Sequence, residues 1–360
     1  MVILTFVIGL VLLFVGADLL VRGASRLAII LGLTPLVVGL TIVAFGTSAP
    51  EGATSIAAAL RDQPDLALGN VIGSNIMNVL VVLGMAAMIK PLVVSRQLLH
   101  IDVPIMIAVS VLLYVFALNG VISRFESGIL LLGIVVYTSW MIRKSRKESQ
   151  SGAKKTRQVQ TNKLTIARYT AFVLVGLVML VFGAEYLVEA ASTIARQIGL
   201  SELIIGLTVI AFGTSLPEIA TSLMAAFKQE RDIAIGNVIG SNISNVLMIL
   251  GVTGLVAPNG ISVAPAALNF DLPFMIAVAI ACLPIFFTGY RIGRREGALL
   301  FGYYIVYVGY LVLDASGHDA QQTYSTVMFA FVTPLIFITL LTLATLAWRK
   351  KHRELAAQKQ

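Results

Sequence analysis

Two copies of a short polar motif contain the residues that could do chemistry. GTSAPE ends at Glu51 and GTSLPE ends at Glu218, each inside a strongly apolar stretch that holds no Lys or Arg. A carboxylate at the centre of a bilayer costs roughly 3 kcal/mol and normally requires a compensating cation. Because the surrounding sequence offers none, the compensating charge must come from solution, as a proton or a metal ion. The motif therefore predicts cation binding.

A second repeated motif supplies neutral oxygen atoms. In GNVIGSNIMN, Asn70, Ser74 and Asn78 recur every four residues, which places them along one side of a helix. Gly69 and Gly73 lie beside this stripe and allow another backbone to approach closely. The second copy of the stripe consists of Asn237, Ser241 and Asn245.

The donor types narrow the choice of cation. The motifs contain carboxylate, hydroxyl, amide and carbonyl oxygens, whereas His100, His318 and His352 lie at span ends or in the tail and the single cysteine, Cys282, lies elsewhere. An all-oxygen site suits Na⁺, Ca²⁺ or Mg²⁺ rather than copper, zinc or iron. Two carboxylates match one divalent ion, and flexible oxygens favour Ca²⁺ over Mg²⁺. The same oxygens could hold several Na⁺ instead, and exclusive occupancy would couple the two ions.

Prolines shape both carboxylate motifs. Pro50 and Pro217 lack an amide hydrogen and clash with the preceding turn, so each is expected to kink or unwind its helix. We expect the carbonyls of residues 44–47 and 211–214 to be released from helical bonding, which is tolerated in hydrocarbon only next to protein, water or an ion.

The elements that position these motifs are predicted to be membrane-spanning helices. The 360-residue chain is 58% hydrophobic and 12% charged, with a mean hydropathy of +0.92, well outside the range of soluble domains. A span needs roughly 20 apolar residues. The first candidate has no basic region before it and no cleavage pattern after it, so we expect it to be retained. The eleven candidates centre on residues 4–21, 34–60, 66–89, 101–119, 126–142, 164–189, 202–227, 233–257, 271–290, 297–314 and 324–348.

The chain contains the same unit twice. A 46-residue segment starting at Gly39 aligns without gaps to one starting at Gly206, an offset of 167, with 30 identical positions. DVPIMIAV at Asp102 then matches DLPFMIAV at Asp271 with an offset of 169. Since each half has five spans, the second half must enter the membrane from the opposite side. The two carboxylate motifs are then expected to meet near the midplane.

The predicted fold is an all-α polytopic membrane protein with two inverted-topology repeats of five transmembrane helices and one extra C-terminal transmembrane helix. The predicted boundaries are residues 1–142 for the first repeat, 143–163 for a basic cytoplasmic loop, 164–314 for the second repeat, 324–348 for the extra helix and 349–360 for a cytoplasmic tail.

Membrane topology accounts for the net charge of +8. If the spans alternate and the loop from Arg143 to Arg168 is cytoplasmic, 23 of the 26 Lys and Arg residues lie inside, leaving only Arg61, Arg124 and Arg196 outside. The positive-inside rule then predicts a multi-pass protein of the plasma (inner) membrane, surrounded by lipid, with its N-terminus outside and its C-terminus cytoplasmic. No nucleic-acid partner is needed to explain the charge, and oligomeric state stays open.

The remaining acidic residues of the spans have simpler interpretations. Asp102 and Asp271 each stand two residues before a proline at the start of a span, as helix caps do. Asp18, Glu185 and Glu189 lie near predicted span ends, where we interpret them as interfacial charges.

At these motifs the sequence resembles the cation/calcium exchanger superfamily, and most closely the prokaryotic sodium/calcium antiporters, whose two alpha-repeats carry GTSxPE and GNxxGSN. The resemblance covers about residues 1 to 314. It implies ten helices in two inverted halves, exchange of Ca²⁺ against Na⁺, and sliding of the first and sixth helices across a core that holds the site. The eleventh span has no counterpart in this pattern.

The resemblance also implies ligands. Glu51 and Glu218 would bind Ca²⁺ together with the carbonyls and hydroxyls of Thr47 and Thr214. Some relatives carry an aspartate at the position of Asn245, so a possible third carboxylate is missing here, and stoichiometry and potassium dependence stay open. The sodium sites would add Ala44, Ser48, Ser74, Asn78, Ala211, Ser215, Ser241 and Asn245.

The leading hypothesis is secondary antiport of Ca²⁺ and Na⁺ by alternating access, with both ions as substrates and no cofactor. A calcium/proton antiporter is the closest rival, because a buried glutamate could carry a proton as the counter-ion. A cation channel could use the same oxygens but would not need a counter-ion. An intramembrane enzyme is less favoured, because no nucleophile with a partner base accompanies the glutamates.

Overall fold

A computed structural model describes residues 1–151, 162–198, 209, 211–287, 289–316 and 345. Helices dominate these residues. In the first half they are α1 (Val2–Leu31), α2 (Pro35–Thr47), α3 (Ala49–Leu60), α4 (Pro64–Ile89), α5 (Leu98–Ala117) and α6 (Arg124–Ser151). In the second half they are α7 (Lys163–Gln197), α8 (Ala211–Thr214), α9 (Leu216–Phe227), α10 (Arg231–Val256), α11 (Ala267–Phe287) and α12 (Arg294–Ser316).

The helices confirm the polytopic all-α fold. Within the described residues, seven helices are long and apolar enough to cross a membrane, and the bent pair α2 and α3 makes up an eighth. The predicted span 202–227 corresponds to α8 and α9, and 297–314 corresponds to α12. The predicted eleventh span, 324–348, lies outside the described residues apart from residue 345.

Local sequence explains where α1 ends and α2 begins. Gly32 adopts the left-handed conformation, with φ of 64°, and closes α1 at Leu31. Thr34 then caps α2 by accepting a hydrogen bond of 3.4 Å from the Val37 amide, and Pro35 takes the first helical position. Helix α1 thus continues to Leu31, ten residues past residue 21, where the predicted first span ended.

Helix α6 also continues beyond its predicted end. It runs to Ser151, so the polar segment 143–163 starts as a continuation of this helix. After the undescribed residues, α7 begins at Lys163, where the Asn162 side chain accepts a hydrogen bond of 3.4 Å from the Leu164 amide. The apolar pattern located the membrane-spanning part of each helix but not its polar extension.

The centre of the molecule is formed by α4 and α10. Over their most apolar windows these helices are 78% and 94% buried, whereas α1 is 22% buried. A helix that is apolar all round and buried belongs to a core, while α1 exposes most of its surface to the expected lipid. The two central helices carry the repeated GNVIGSN motif, so the motif lies in the core.

Helices α1 and α7 pack against each other along glycines. A Cβ atom at Gly16 would lie 2.8 Å from the Gly176 carbonyl oxygen, and one at Gly183 would lie 2.8 Å from the Leu13 amide nitrogen. Gly9 faces Gly183 while Gly16 faces Gly176, so the two helices run antiparallel. Only residues without a side chain permit this approach.

Two short antiparallel ladders join the halves. Strand β1 (Leu92–Val93) pairs with β4 (Arg291–Ile292), and β2 (Val121–Ile122) pairs with β3 (Ile261–Ser262). The apolar pattern did not predict these strands. By sequence alignment β1 corresponds to β3 and β2 to β4, so the two ladders are related by the repeat symmetry.

Asp102 does not cap a helix, contrary to the sequence prediction. It lies in a π-helical turn, Leu98–Asp102, that continues directly into the rest of α5, and its side chain makes no capping bond. Instead it is buried and accepts hydrogen bonds from the Tyr137 hydroxyl at 3.2 Å and the Gln97 amide at 3.4 Å. Asp271 likewise ends a π-helical turn inside α11 rather than starting a helix.

Candidate functional site

Each carboxylate motif lies at a bend in a helix. Helices α2 and α3 meet at 45° around Ser48, whose φ and ψ of −81° and 6° interrupt the helix just before Pro50. Ser215 takes nearly the same conformation, −91° and 7°, before Pro217. These breaks are the effect expected of the two prolines, which take the first turn of the following helix without strain.

The bend does not release every carbonyl that the sequence suggested. The Ala44 carbonyl oxygen accepts the Ser48 amide at 3.0 Å and the Thr47 hydroxyl at 3.3 Å. Its expected release is therefore wrong for this conformation, because only Ser48 leaves the helical conformation and Thr47 satisfies the same acceptor.

Glycines bring the bent helix of the first half onto the core helix of the second half. A Cβ atom at Gly240 would lie 2.6 Å from Leu40 backbone atoms, and one at Gly236 would lie 2.9 Å from the Leu36 carbonyl oxygen. The equivalent glycines of α4, Gly69 and Gly73, have no neighbour within 4 Å among the described residues. Much of the segment that the repeat would place against them lies outside those residues.

Hydrogen bonds connect the two motifs across the halves. The Ser48 hydroxyl donates to Glu218 Oε1 at 3.1 Å, and the Thr47 hydroxyl donates to Asn237 Oδ1 at 3.1 Å. Thr47, Ser48 and Glu218 are buried, with 1%, 0% and 0% of their surface exposed. The predicted convergence of the two motifs is thus present in the structure.

The asparagines of the core helices brace the helices that carry the glutamates. Asn237 donates to the Ser222 hydroxyl at 3.0 Å, and Asn70 donates to the Ser55 hydroxyl at 3.1 Å. Asn70 also donates to the Glu51 backbone carbonyl at 3.2 Å. Asn70 and Asn237 therefore fix the two glutamate-bearing helices, a structural role in addition to the stripe predicted from their spacing.

Glu51 is fully buried, and neither of its carboxylate oxygens has a hydrogen-bond partner among the described residues. It lies close enough to Glu218 for the two carboxylates to repel each other. Leaving a buried polar group without a partner costs about 1–3 kcal/mol, and more for a charged one. A group that supplies positive charge beside Glu51 would relieve this cost.

Further unsatisfied oxygen atoms occur in the repeated motifs. The described residues provide these buried side-chain oxygens without partners: Asn78 Oδ1, Ser215 Oγ, Glu218 Oε2, Ser241 Oγ and Asn245 Oδ1. No group of three or more His, Cys, Asp or Glu side chains in the described part of the chain could hold a metal. A cation here would depend on two carboxylates and neutral oxygens, the donor set preferred by Ca²⁺ and Na⁺.

The other predicted site residues occupy the same region of the fold. Ser74 is buried on α4. Asn78 and Asn245 begin equivalent π-helical turns, Asn78–Leu83 and Asn245–Leu250, a backbone irregularity that is frequent at functional sites. Thr214 is half-buried at the end of α8, which starts at Ala211.

Two buried residues of the site were missed by the sequence analysis. The Asn75 amide donates to the Asn242 carbonyl oxygen at 3.3 Å, and the Asn242 amide donates back to the Asn75 carbonyl oxygen at 3.3 Å. Asn245 also donates to Asn75 Oδ1 at 3.1 Å. The available signal was the second asparagine of GNVIGSN, which is identical in both halves but lies off the four-residue stripe.

The architecture and the site together define a class of protein. Inverted five-helix repeats, bent helices near the middle of each repeat and a buried polar site where the halves meet are the features of inverted-repeat membrane transporters.

The chain belongs to the sodium/calcium exchanger protein family, whose model matches residues 1–143 and 168–313. It is 34% identical to the sodium/calcium exchanger MaX1 of Methanosarcina acetivorans, over 85% of this chain and 97% of that protein. It is 36% identical to the inner membrane protein YrbG of Escherichia coli, over 85% of this chain and 95% of that protein.

Solved structures show the same relationship. The sodium-calcium exchanger NCX_Mj, soaked with Na⁺ and no Ca²⁺, is 31% identical and superposes with a TM-score of 0.75, covering 86% of this chain and 99% of that chain. Other structures of that exchanger were obtained after soaking with Na⁺ and Sr²⁺. This chain is thus a multi-pass membrane protein with the fold of that exchanger.

Proposed function

We propose that this chain is a secondary active antiporter that exchanges Ca²⁺ for Na⁺ by alternating access, with the ions bound near the midplane between the two halves. The observation that carries the proposal is Glu51, which is fully buried without a partner and lies next to Glu218. The named activities of MaX1 and NCX_Mj agree with it. Transport rather than catalysis is the role that such a site favours.

The charge of the site explains why exchange would be coupled. Two ionised carboxylates can be compensated by one Ca²⁺ or by Na⁺ ions, but the same oxygens cannot hold both cargoes at once. An empty site with two negative charges would be costly to move through hydrocarbon. We propose that the ligands are the residues that the resemblance implies: Glu51, Glu218, Thr47, Thr214, Ala44, Ala211, Ser48, Ser215, Ser74, Asn78, Ser241 and Asn245.

We also propose that the protein lies in the plasma (inner) membrane with its N-terminus outside and its C-terminus in the cytoplasm. Two contacts support a common side for the basic segments. The Thr34 amide, after α1, donates to the Ser145 hydroxyl of α6 at 2.9 Å, and Lys228, after α9, pairs with Asp18 of α1. The proposed units are residues 1–142 and 164–314, joined by a basic segment, 143–163, and followed by an additional span, 324–348, and a tail, 349–360.

Transport into everted vesicles tests the proposal. We expect uptake of radioactive calcium that depends on an outward sodium gradient, and a loss of exchange in Glu51→Gln and in Glu218→Gln, because each variant lacks half of the compensating charge. Asp65→Asn is the control, since Asp65 is exposed in the first turn of α4 and belongs neither to the site nor to its neighbours. Wild-type exchange in either site variant would refute the ligand assignment.

The same vesicles distinguish the alternatives. Calcium uptake driven by a pH gradient in sodium-free medium would identify a calcium/proton antiporter instead. Calcium flux without any counter-ion would identify a channel. Calcium/sodium exchange that requires sodium on the opposite side would support the proposal.

A further inference from the structure

At one end of the molecule, two polar contacts tie α1 to the second half. Asp18 forms an ion pair with Lys228, which follows α9, and a second one of 2.8 Å with Arg22 of its own helix. The Ser25 hydroxyl donates to Glu230 at 2.7 Å. The side chains of Asp18 and Lys228 are 26% and 25% exposed, so this ion pair is largely shielded from water.

The repeat places residues of matching chemistry at the opposite end. With the offset of 167, the positions of Asp18, Lys228, Ser25 and Glu230 correspond to Glu185, Arg61, Ser192 and Gln63. An acid again lies on the long helix, now α7, and a base again follows the bent helix, now α3. Ser192 retains the hydroxyl of Ser25, and Gln63 has an amide where Glu230 has a carboxylate.

This second set of residues does not form the equivalent ion pair and hydrogen bond in the described part of the chain. Glu185 and Arg61 are exposed, and no ion pair joins them in the described part of the chain. The hydroxyl of Ser192 is buried without a hydrogen-bond partner there. The Ser192 hydroxyl therefore makes no contact with Gln63 like the one that Ser25 makes with Glu230 at the other end.

Helix packing has the same asymmetry. Helix α1 packs along α9, whereas the equivalent helices α7 and α3 barely touch, and α7 contacts α9 as well. Both long helices therefore lie against the second half. Because the two halves have similar sequences around the site, the same packing of α1 and α7 against the first half is equally compatible with the sequence.

In a transporter built from inverted repeats, the opposite-facing state is reached when the two halves exchange their conformations. We propose that Asp18, Lys228, Ser25 and Glu230 form a first latch, and that Glu185, Arg61, Ser192 and Gln63 form a second latch that closes when the first opens. The proposal rests on the proposed exchange function. With the proposed orientation, the structure is closed towards the cytoplasm.

The two latches differ in one neighbouring residue. Arg22, which adds a positive charge beside Asp18, corresponds to Glu189, which adds a negative charge beside Glu185. Opposite charges four residues apart on a helix are favourable and like charges are unfavourable. Asp18 pairs with both Arg22 and Lys228, so part of its interaction lies within α1 and does not connect the halves. Variants of Arg22 and of Lys228 must therefore be compared.

Cross-linking tests mutual exclusion directly. In full-length protein with Cys282→Ser, we introduce Asp18→Cys with Lys228→Cys, Glu185→Cys with Arg61→Cys, or all four, and treat reconstituted protein with a cleavable thiol cross-linker. We expect each cysteine pair to react with the cross-linker. Either cross-link should stop exchange until it is cleaved. In the four-cysteine protein, a molecule with one of the two cross-links should be unable to form the other.

The controls separate a latch from a static contact. Asp18→Cys with Arg22→Cys lies within one helix, so it should cross-link without stopping exchange. Simultaneous formation of both cross-links in one molecule would overturn the proposal, as would normal exchange by a cross-linked latch. The number of cross-links in each molecule is measured without any transport assay. The test of the latches is therefore independent of which ions the protein transports.

Charge variants provide an independent readout. Lys228→Gln should change the ratio of the apparent calcium KM values measured from the two sides of the membrane by about two- to fivefold, the range expected for one partly shielded ion pair. Reversal of both charges, Asp18→Lys with Lys228→Asp, should restore the ratio, and Arg22→Gln should change it less. An unchanged ratio in Lys228→Gln would mean that the pair is static.

Discussion

Ser48 and Ser215 occupy equivalent positions in the two halves but have different surroundings. The Ser48 hydroxyl donates to Glu218, whereas the Ser215 hydroxyl has no hydrogen-bond partner among the described residues. Ser215 lies beside Glu51 and interacts with it, but without the direct hydrogen bond that Glu218 receives from Ser48. The site is therefore asymmetric although its residues are symmetric, and this difference can be measured in the absence of ions.

We expect Ser48→Ala to destabilise the ion-free protein more than Ser215→Ala. Removing Ser48 leaves the Glu218 carboxylate with one more unsatisfied oxygen, which costs about 1–3 kcal/mol, whereas Ser215 forms no such direct hydrogen bond with Glu51. Thermal unfolding in detergent without Na⁺ or Ca²⁺ measures the difference. Equal melting temperatures for the two variants would contradict the observed asymmetry.

The paired asparagines support a second comparison. Each of the two amides donates to the partner's backbone carbonyl and to a methionine sulfur, so Asn75→Ala and Asn242→Ala both lose these two bonds. Asn75→Ala loses in addition the bond that Asn245 donates to Asn75 Oδ1. Since one hydrogen bond contributes about 0.5–1.5 kcal/mol, Asn75→Ala should have the lower melting temperature by that amount. A larger loss in Asn242→Ala would show that these bonds do not control the packing of α4 on α10.

Residue spacing identified the polar residues on one side of each core helix but not the asparagine on the other side. A period of four selected Asn70, Ser74 and Asn78, because these residues share a side of α4. Asn75 points towards a partner 167 residues away, and only the folded arrangement shows which residue that is. The convergence of Glu51 and Glu218 was predictable, because repetition and inversion together required it.

At the scale of the helices, membrane-spanning segments were predicted well and helix ends poorly. Hydropathy measures the part of a helix that lies in lipid, whereas Gly32 and the Thr34 cap determine where α1 ends and α2 starts. The polar extension of α6 to Ser151 lacks the apolar pattern altogether. The four two-residue strands are too short for an alternating pattern, so sequence alone could not identify them.

The glycines between α1 and α7 allow the backbones of these helices to approach closely. We expect Gly16→Leu to destabilise the protein by about 1–3 kcal/mol and to slow exchange, because its Cβ atom would lie 2.8 Å from the Gly176 carbonyl oxygen, which cannot move like a flexible side chain. Gly128→Ala on α6 is the control, since that Cβ atom has no described neighbour within 4 Å. Unfolding midpoints and vesicle uptake measure both effects, and equal behaviour of the variants would contradict this packing.

At the scale of the whole molecule, the proposed ion site lies between the two halves, each of which contributes one buried glutamate. An ion that binds only the folded protein stabilises it, by about 2.7 kcal/mol at a concentration one hundred times its Kd. Because both ions would use the same oxygens, their stabilising effects should not add. Melting temperature thus reports on shared occupancy without any transport assay.

We expect Ca²⁺ and Na⁺ each to raise the melting temperature, and saturating Na⁺ to reduce the further rise caused by Ca²⁺. Glu51→Gln should lose most of the Ca²⁺ effect, because the remaining carboxylate cannot compensate a divalent ion. Asp65→Asn should keep it. Additive stabilisation by the two ions would show that they bind at separate places.

The two ladders carry a consequence for the ancestry of the fold. Strand β1 pairs with β4, the equivalent of β2, and β2 pairs with β3, the equivalent of β1. Two copies of the first half alone, inserted in opposite orientations, would form both ladders as an isologous contact. A dual-topology homodimer of a half-length chain would satisfy the same backbone pairings, and fusion of two such genes would preserve every strand partner.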